Sequence, residues 1–333
     1  MNTATQRTFA HIEDDQSVSL HTDAIPTPSN GEVLIEVAFA GINRADLLQR
    51  KGLYPAPADA SPVMGLEVSG IVLATGDDVD PLKVGDKVCA LTHGGGYASH
   101  CIARADHCIS VPENLSLEQA AALPEALLTV WSNVFVRAGF SAGERLLMSG
   151  GTSGIGTLGI QMAVAMGGEV VSIAGSDEKC EMLRQLGCKA VINYRDQDLR
   201  EAFDEAGYSG KIDVVLDMVG GDFTSTCFDL AAVDGRIVCI GIMGGVKSQI
   251  NLATLFMKRL TLTGSTLRRL STEDKTQAFI DIRTHIVPLI AEGRIQPVIH
   301  ATYPLAAALE AQEAMQTGTH TGKLLLDCQI DLA

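Results

Sequence analysis

The feature that most constrains this chain is a regular alternation of short apolar runs with helical segments between residues 144 and 267. Six runs follow one another, and they read ERLLMSG, EVVSIAG, AVINY, KIDVVLDMVGG, GRIVCIG and RLTLTGST. Runs such as VVSIA and IVCIG are apolar at nearly every position, which is typical of strands covered by helices on both faces. The alternation therefore predicts an α/β fold with one doubly wound, Rossmann-type domain built on a parallel sheet of six strands.

The segments on either side of this domain have different patterns. The first third is predicted to be β-rich, with strands within 31–43 and at 68–74, 87–91 and 101–103. Helices follow from Ser116, which forms a capping box with Gln119, and Pro124 divides them. Beyond Leu267 the pattern predicts a long helix over 272–292, a helix near 305–317 and a final strand, KLLLDC.

This C-terminal tail is too small to fold alone, so we expect it to return to the β-rich part. The predicted organisation is a first segment over 1–125, the doubly wound domain over 126–267, and a returning segment over 268–333.

Composition excludes several classes of function. The chain has 25 basic and 40 acidic residues, a net charge of −15, which excludes a basic nucleic-acid-binding surface and disfavours anionic membranes. No apolar stretch approaches the roughly 18 residues of a membrane span. The start MNTATQRTFAHIEDD lacks the pattern of a signal peptide. The eight cysteines form no CxxC pair, so we expect buried, reduced thiols and a cytoplasmic protein.

The strongest chemical motif is the GxGxxG formed by Gly154, Gly156 and Gly159 between a predicted strand and a predicted helix. In that setting the glycines allow a tight turn, close approach of backbone amides to a pyrophosphate, and close packing of helix on strand. The helix N-terminus supplies N–H donors and a positive dipole end. We expect Ser153, Gly154, Ile155 and Gly156 to bind a dinucleotide cofactor.

The end of the second strand predicts which dinucleotide binds. An acidic residue at this position would bind the ribose 2′-hydroxyl of NAD, but the strand ends in Gly175 and Ser176. Ser176 is a predicted N-cap, which places Lys179 at N3, where a cation opposes the helix dipole unless it meets an anion. Lys179 and Tyr194 therefore favour the 2′-phosphate of NADPH, although Lys179 could instead be a solvated residue. Asp177 leaves both cofactors open, because it could turn outward or repel the phosphate.

Two other patterns do not support a site. Residues 139–143 read GFSAG, but a nucleophile elbow needs a preceding strand and a following helix, and here the order is reversed. His93, His100 and His107 lie near several cysteines without the close spacing of zinc ligands. We expect no bound metal.

Four stretches of this sequence resemble one known family. They are GINRADLLQRKGLYP (41–55), PVMGLEVSGIV (62–72), GGTSGIGTLGIQ (150–161) and HTGKLLLD (320–327). Together with the domain order, they resemble the zinc-independent quinone oxidoreductases of the medium-chain dehydrogenase/reductase superfamily. The similarity covers nearly the whole chain and is greatest to the branch that contains the p53-inducible quinone oxidoreductase. The resemblance implies a GroES-like catalytic domain for the β-rich part.

The resemblance also implies which chemistry the chain can perform. Zinc-dependent members carry a GHE motif, whereas this chain has Gly65-Leu66-Glu67 and no four-cysteine lobe. Without a Lewis acid, alcohol oxidation loses its main activator. Hydride transfer from NADPH to an electron-poor quinone or enone does not need one.

By resemblance, Asn43, Asp46 and Tyr54 line the substrate and nicotinamide cleft, and Thr129 touches the nicotinamide. The alternative for Asn43 and Asp46 is an N-cap with an acidic N3 residue. Lys323 resembles a family lysine near the cleft, and its alternative is a surface residue at a strand start.

Two further loops follow the fifth and sixth strands, at the edge where open α/β sheets bind ligands. The residues expected to bind cofactor there are Gly241, Met243, Gly244, Gly264, Ser265, Thr266 and Leu267.

The function expected from these observations is NADPH-dependent reduction of a quinone without zinc. Two alternatives stay open: an enoyl or alkenal reductase of the same fold, and a non-catalytic, crystallin-like NADPH-binding protein. The outer strand RLTLTGST is an exposed edge, and the resemblance implies that two such edges pair in a homodimer.

Overall fold

A computed structural model describes residues 5–13, 15 and 17–329, which divide into two compact units. The first unit comprises the described residues of Met1–Ala126, Thr272–Gly293 and Pro297–Ala333. The second comprises Leu127–Ser271 and Arg294–Gln296, so a short stretch of the C-terminal segment joins the nucleotide-type unit.

The N-terminal segment is β-rich, as predicted. Its elements are β1 (Gln6–Ile12), β2 (Val18–Ala24), β3 (Glu32–Gly41), α1 (Arg44–Arg50), β4 (Glu67–Thr75), β5 (Lys87–Leu91), β6 (His100–Arg104), β7 (Cys108–Ser110), α2 (Leu117–Ala120) and α3 (Pro124–Val130). The predicted capping box at Ser116 is confirmed, because its hydroxyl accepts the Gln119 N–H at 3.1 Å. Pro124 begins a new helix because it has no N–H to donate within α2.

The middle of the chain forms the predicted doubly wound domain. It contains a π-helix (Trp131–Arg137), β8 (Arg145–Met148), α4 (Gly154–Ala165), β9 (Glu169–Ala174), α5 (Asp177–Gln185), β10 (Ala190–Asn193), α6 (Leu199–Glu205), β11 (Ile212–Asp217), α7 (Asp222–Leu230), β12 (Ala231–Cys239), α8 (Leu252–Lys258) and β13 (Thr261–Gly264). The six strands are parallel, in the order β10-β9-β8-β11-β12-β13. This is the order of a dinucleotide-binding sheet, whose strand order reverses next to β8.

The C-terminal segment corrects one prediction. Instead of one helix over 272–292, the chain forms α9 (Thr272–His285) and α10 (Val287–Ala291). Pro288 lies in the first turn of α10, the position where a residue without an N–H costs a helix least. The segment continues with β14 (Ile299–Pro304), α11 (Ala308–Thr317) and β15 (Lys323–Asp327).

The returning strands complete the sheet of the first unit. Its strand order is β14-β15-β3-β4-β5-β7, and β6 also pairs with β3. β15 pairs antiparallel with β3 and places Leu325 opposite Gly41, so the C-terminal strand enters the same buried sheet as the N-terminal segment. Among the described residues, no helix combines the length and apolarity needed to cross a membrane.

Candidate functional site

The predicted phosphate loop lies where β8 turns into α4, in the second unit. Ser153 is the N-cap of α4, and its hydroxyl accepts the N–H of Gly156 at 3.0 Å. A side chain at Gly156 would overlap the backbone of Gly150 and Gly151, so this turn requires glycine there. Gly154, Ile155 and Gly156 form the first turn of the helix after the Ser153 cap. The Ser153 N–H donates to the Gly150 carbonyl at 3.0 Å and the Gly156 N–H donates to Ser153, so the N–H groups of Gly154 and Ile155 are the ones left to face an anion.

Two cations and a tyrosine surround the end of β9. A methyl group at Gly175 would lie 2.7 Å from the Tyr194 hydroxyl and 3.3 Å from the Arg195 Nε. The Ser176 hydroxyl accepts the Lys179 N–H at 3.3 Å, which confirms the predicted cap and places Lys179 at N3. Burial, and then the charge of Arg195, lower the pKa of the Lys179 ammonium, so the two cations lie close enough to repel each other. Such a pair is stabilised by a bound anion. Sequence reasoning missed Arg195, although it directly follows Tyr194.

The loop after β12 is fixed by a buried carboxylate that sequence reasoning also missed. Asp217 is fully buried at the end of β11 and accepts the N–H groups of Val219 and Gly220 at 2.8 and 2.9 Å. Val219 in turn accepts the Gly244 N–H at 2.7 Å. Asp217 therefore holds the loop that contains Gly241, Met243 and Gly244 at the carboxyl edge of the sheet.

The π-helix links two predicted site residues that lie far apart in sequence. Asn133 is buried in this helix, accepts the Ser265 hydroxyl at 2.6 Å and donates to the Thr129 carbonyl at 2.8 Å. Ser265 follows β13, where Gly264, Ser265, Thr266 and Leu267 form the predicted loop. Asn133 therefore fixes this loop to Thr129, at a π-helix of the kind often found at functional sites.

A buried network in the first unit contains three of the residues implied by the family resemblance. Lys323 forms an ion pair with Glu67 and donates to the Asn43 Oδ1 at 2.7 Å, while Asn43 donates to Glu67 at 2.9 Å. The second Glu67 oxygen accepts the Glu125 N–H at 2.9 Å. Lys323 is only 4% exposed, so it is not the surface residue offered as the alternative.

Asp46 connects this network to Tyr97. One oxygen of its carboxylate accepts the Asn43 N–H at 2.8 Å and the Tyr97 hydroxyl at 3.0 Å. The bond to Asn43 confirms that Asp46 closes the first turn of α1. The other oxygen, Oδ1, is buried without a hydrogen-bond partner among the described residues. Burial raises the pKa of this carboxyl to about 6. Tyr54 lies partly buried in the loop after α1.

The described part of the chain contains no group of three or more His, Cys, Asp or Glu residues placed to hold a metal ion. The eight cysteines are all unbridged, seven of them are buried, and only Cys239 is partly exposed. GFSAG precedes β8 and follows the π-helix, so the nucleophile-elbow match is accidental, as expected.

Two family models match the chain, one within the first unit and the other mostly within the second. One is described as an alcohol dehydrogenase GroES-like domain and matches residues 29–113; the other is described as a zinc-binding dehydrogenase and matches 154–282. Quinone oxidoreductase-like protein 2 of Bos taurus is 34% identical over 296 residues, which is 89% of this chain and 84% of the bovine protein.

Solved structures give the same fold. The structure of Escherichia coli quinone oxidoreductase complexed with NADPH is similar with a TM-score of 0.82 and 29% identity, over 97% of this chain and 100% of that chain. The structure of CurK enoyl reductase has a TM-score of 0.82 and 25% identity, over 96% of this chain and 99% of that chain.

Proposed function

Because the chain belongs to the quinone oxidoreductase family of the medium-chain dehydrogenase/reductase superfamily, we propose that it transfers a hydride from NADPH to a quinone. Membership makes it an oxidoreductase of this superfamily, and the proposal adds the cofactor and the acceptor. The observation that carries the choice of NADPH is the placement of Tyr194 and Arg195 beside Gly175, with Lys179 close enough to Arg195 to feel its charge.

The described residues fit this cofactor. The first turn of α4 offers backbone N–H groups where a pyrophosphate can approach, and the overlap at Gly156 shows how tightly the turn is built. Lys179, Arg195 and the Tyr194 hydroxyl suit a 2′-phosphate. When bound, NADPH supplies the hydride, while the loops fixed by Asp217 and Asn133 hold its nicotinamide end.

For the acceptor, we propose a role for Tyr54 and for the network of Asn43, Asp46 and Lys323 in the first unit. A tyrosine can stack on a flat, electron-poor ring. The buried ion pair fixes the Asn43 side chain, and the Asn43 N–H in turn holds Asp46, which favours orientation of bound reactants over acid catalysis. We propose that the reaction needs no zinc, because Leu66 stands where zinc-dependent members have histidine. The balanced reaction takes NADPH, a proton and a quinone to NADP⁺ and a hydroquinone.

Reduction of an activated C=C bond is the second candidate. It is supported by similarity to the CurK enoyl reductase structure, and it uses the same hydride donor and an equally electron-poor acceptor.

The test is steady-state oxidation of NADPH and of NADH with a panel of quinones and of enones, each with and without a chelator. The proposal expects quinones to have the higher kcat/KM, NADPH to be preferred, and the chelator to have no effect. Turnover confined to enones would favour the second candidate. No turnover with any acceptor would contradict both.

We also propose a homodimer formed through the second unit. β13 is an edge strand, and the neighbouring α8 has no buried residue. On α8, Phe256 is 70% exposed and Met257 80% exposed, and Leu262 on β13 is 40% exposed. An exposed apolar edge of this kind favours association. Pairing of β13 with the same strand of a second copy, across a two-fold axis, would bury it. The cytoplasmic location stays a prediction.

A further inference from the structure

The side-chain amide of Asn193, the last residue of β10, forms hydrogen bonds with three other residues. The side chain is only 7% exposed. Its NH₂ group donates to Asp177 at 2.9 Å and to Asp196 at 2.6 Å. Its Oδ1 accepts the backbone N–H of Arg195 at 3.2 Å. Asn193 thus contacts two carboxylates and the backbone of one cation of the proposed 2′-phosphate site.

The position of Asp177 makes this contact important. Asp177 is the first residue of α5, next to the cap Ser176 and two residues before Lys179. An acidic residue after the second strand of a dinucleotide-binding sheet suits the ribose 2′-hydroxyl, and it repels a 2′-phosphate. The same carboxylate could also pair with Lys179 or Arg195 and so compete with a phosphate for them. A hydrogen bond from Asn193 gives Asp177 another partner.

We propose that Asn193 is a positioning residue that determines cofactor specificity, by holding Asp177 against the end of β10 and away from the 2′-phosphate. The inference rests on the proposed function, since it concerns the NADPH preference of the same site. Asn193 leaves Lys179, Arg195 and Tyr194 as the groups that face the phosphate. The acid at the start of α5 is thereby compatible with NADPH.

Asn193 also has a structural role that the test must separate from this one. Its side-chain oxygen accepts the N–H of Arg195, two residues further along the chain, and so closes a turn just after β10. Asparagine side chains commonly close turns in this way. Serine can close the same turn with its hydroxyl but is too short, and has too few donors, to hold both carboxylates. Asn193→Ser therefore removes the contact with Asp177 and keeps the turn.

The experiment measures binding by titration calorimetry, with NADPH, NADH, adenosine 2′,5′-bisphosphate and AMP as probes. Asn193→Ser should lower the affinity for NADPH and for the bisphosphate about 3- to 10-fold. This is the size of one or two exposed charge interactions with a doubly charged phosphate. AMP and NADH should bind as tightly as before or more tightly. Asp177→Asn in the Asn193→Ser background should restore the bisphosphate affinity, because it removes the released charge.

Asp177→Asn alone is the matched control and remains informative even if Asn193→Ser does not fold. It should change bisphosphate affinity less than about twofold, because the carboxylate is already held away. Tightening by about tenfold would mean that Asp177 faces the phosphate, and would overturn the inference.

The remaining outcomes separate this inference from the proposed function. Equal affinity of the unmodified protein for NADPH and NADH would overturn the proposed preference, and the inference with it. A clear NADPH preference that Asn193→Ser leaves unchanged would overturn the inference alone. A loss of bisphosphate affinity that persists in the double variant would also overturn the inference alone, because the effect of Asn193→Ser would then be structural.

Discussion

Replacement of Asp46 by asparagine should change how the stability of the protein depends on pH. Asp46 is fully buried in the first unit, and burial raises the pKa of its carboxyl from 3.8 to about 6. The hydrogen bonds from Asn43 and Tyr97 and the charge of Lys323 oppose this shift, whereas the charge of Glu67 adds to it. The amide of the variant would keep an oxygen that accepts a hydrogen bond but could not ionise.

The size and sign of the effect follow from the shift. The native protein binds the Asp46 proton more tightly than the unfolded chain, so protonation contributes stability that is fully present below about pH 4. That contribution is lost as the pH rises through about 6. A pKa that rises from 3.8 in the unfolded chain to about 6 in the native protein corresponds to a change of roughly 3 kcal/mol in the free energy of unfolding between these pH limits. The free energy of unfolding of Asp46→Asn, relative to the unmodified protein, should therefore rise by roughly that amount from pH 4 to pH 7.

The assay is unfolding in urea at several pH values in this range, followed by circular dichroism. The single tryptophan, Trp131, lies in the second unit, so its fluorescence gives a separate signal for that unit. Glu310→Gln, on the exposed surface of α11 in the first unit, controls for loss of a surface charge. If the difference between Asp46→Asn and the unmodified protein does not vary with pH, the Asp46 carboxyl does not titrate as burial requires and the reasoning is wrong.

Four further predictions concern the cofactor, the acceptor and the assembly. Lys179→Ala should weaken NADPH roughly 10- to 100-fold and leave NADH nearly unchanged; an equal loss for both cofactors would contradict a phosphate contact. Asn133→Ala should raise the KM for NADPH and lower the free energy of unfolding by about 1–3 kcal/mol, because Ser265 loses its acceptor; unchanged kinetics would mean that this loop does not hold cofactor. Tyr54→Phe should be nearly silent while Tyr54→Ala raises the KM for the quinone, and an unaltered kcat/KM in Tyr54→Ala would remove Tyr54 from the site. Light scattering should give a dimer mass for the unmodified protein and a monomer mass for Phe256→Glu, whereas a monomer in both would refute the proposed interface.

The parallel sheet could be predicted because its signals are local. Its buried strands are short runs that are apolar on both faces, and several of its helices begin at a side-chain cap such as Ser176. The strand order then follows from the handedness and switch point of doubly wound sheets. The prediction of one helix over 272–292 was wrong because the apolar spacing continues through the break at Ile286, and only Pro288 indicates a second helix start.

Contacts within the candidate site were predictable only where the residues are neighbours in sequence. The glycine loop and the Ser176 cap are local motifs, and so were visible. Asn133 and Ser265 lie 132 residues apart, and Lys323 and Asn43 lie 280 apart, so nothing in either segment indicates the contact. Arg195 had a signal that could have found it: the polar stretch NYRD at the end of the third strand of an expected nucleotide-binding sheet.

The buried network of the first unit shows why the Asp46 carboxyl should take up a proton. Glu67 has the Lys323 ammonium, the Asn43 amide and the Glu125 N–H as partners, so its negative charge is matched by a positive one. Asp46 has two neutral donors on one oxygen and, among the described residues, none on the other. Two carboxylates and one ammonium leave one negative charge in a fully buried place, and that charge is expensive away from water. Protonation of Asp46 makes the network neutral without breaking the Lys323–Glu67 pair. Activity that depends on Asn43 should therefore change little as Asp46 takes up its proton near pH 6, as long as the cofactor remains bound.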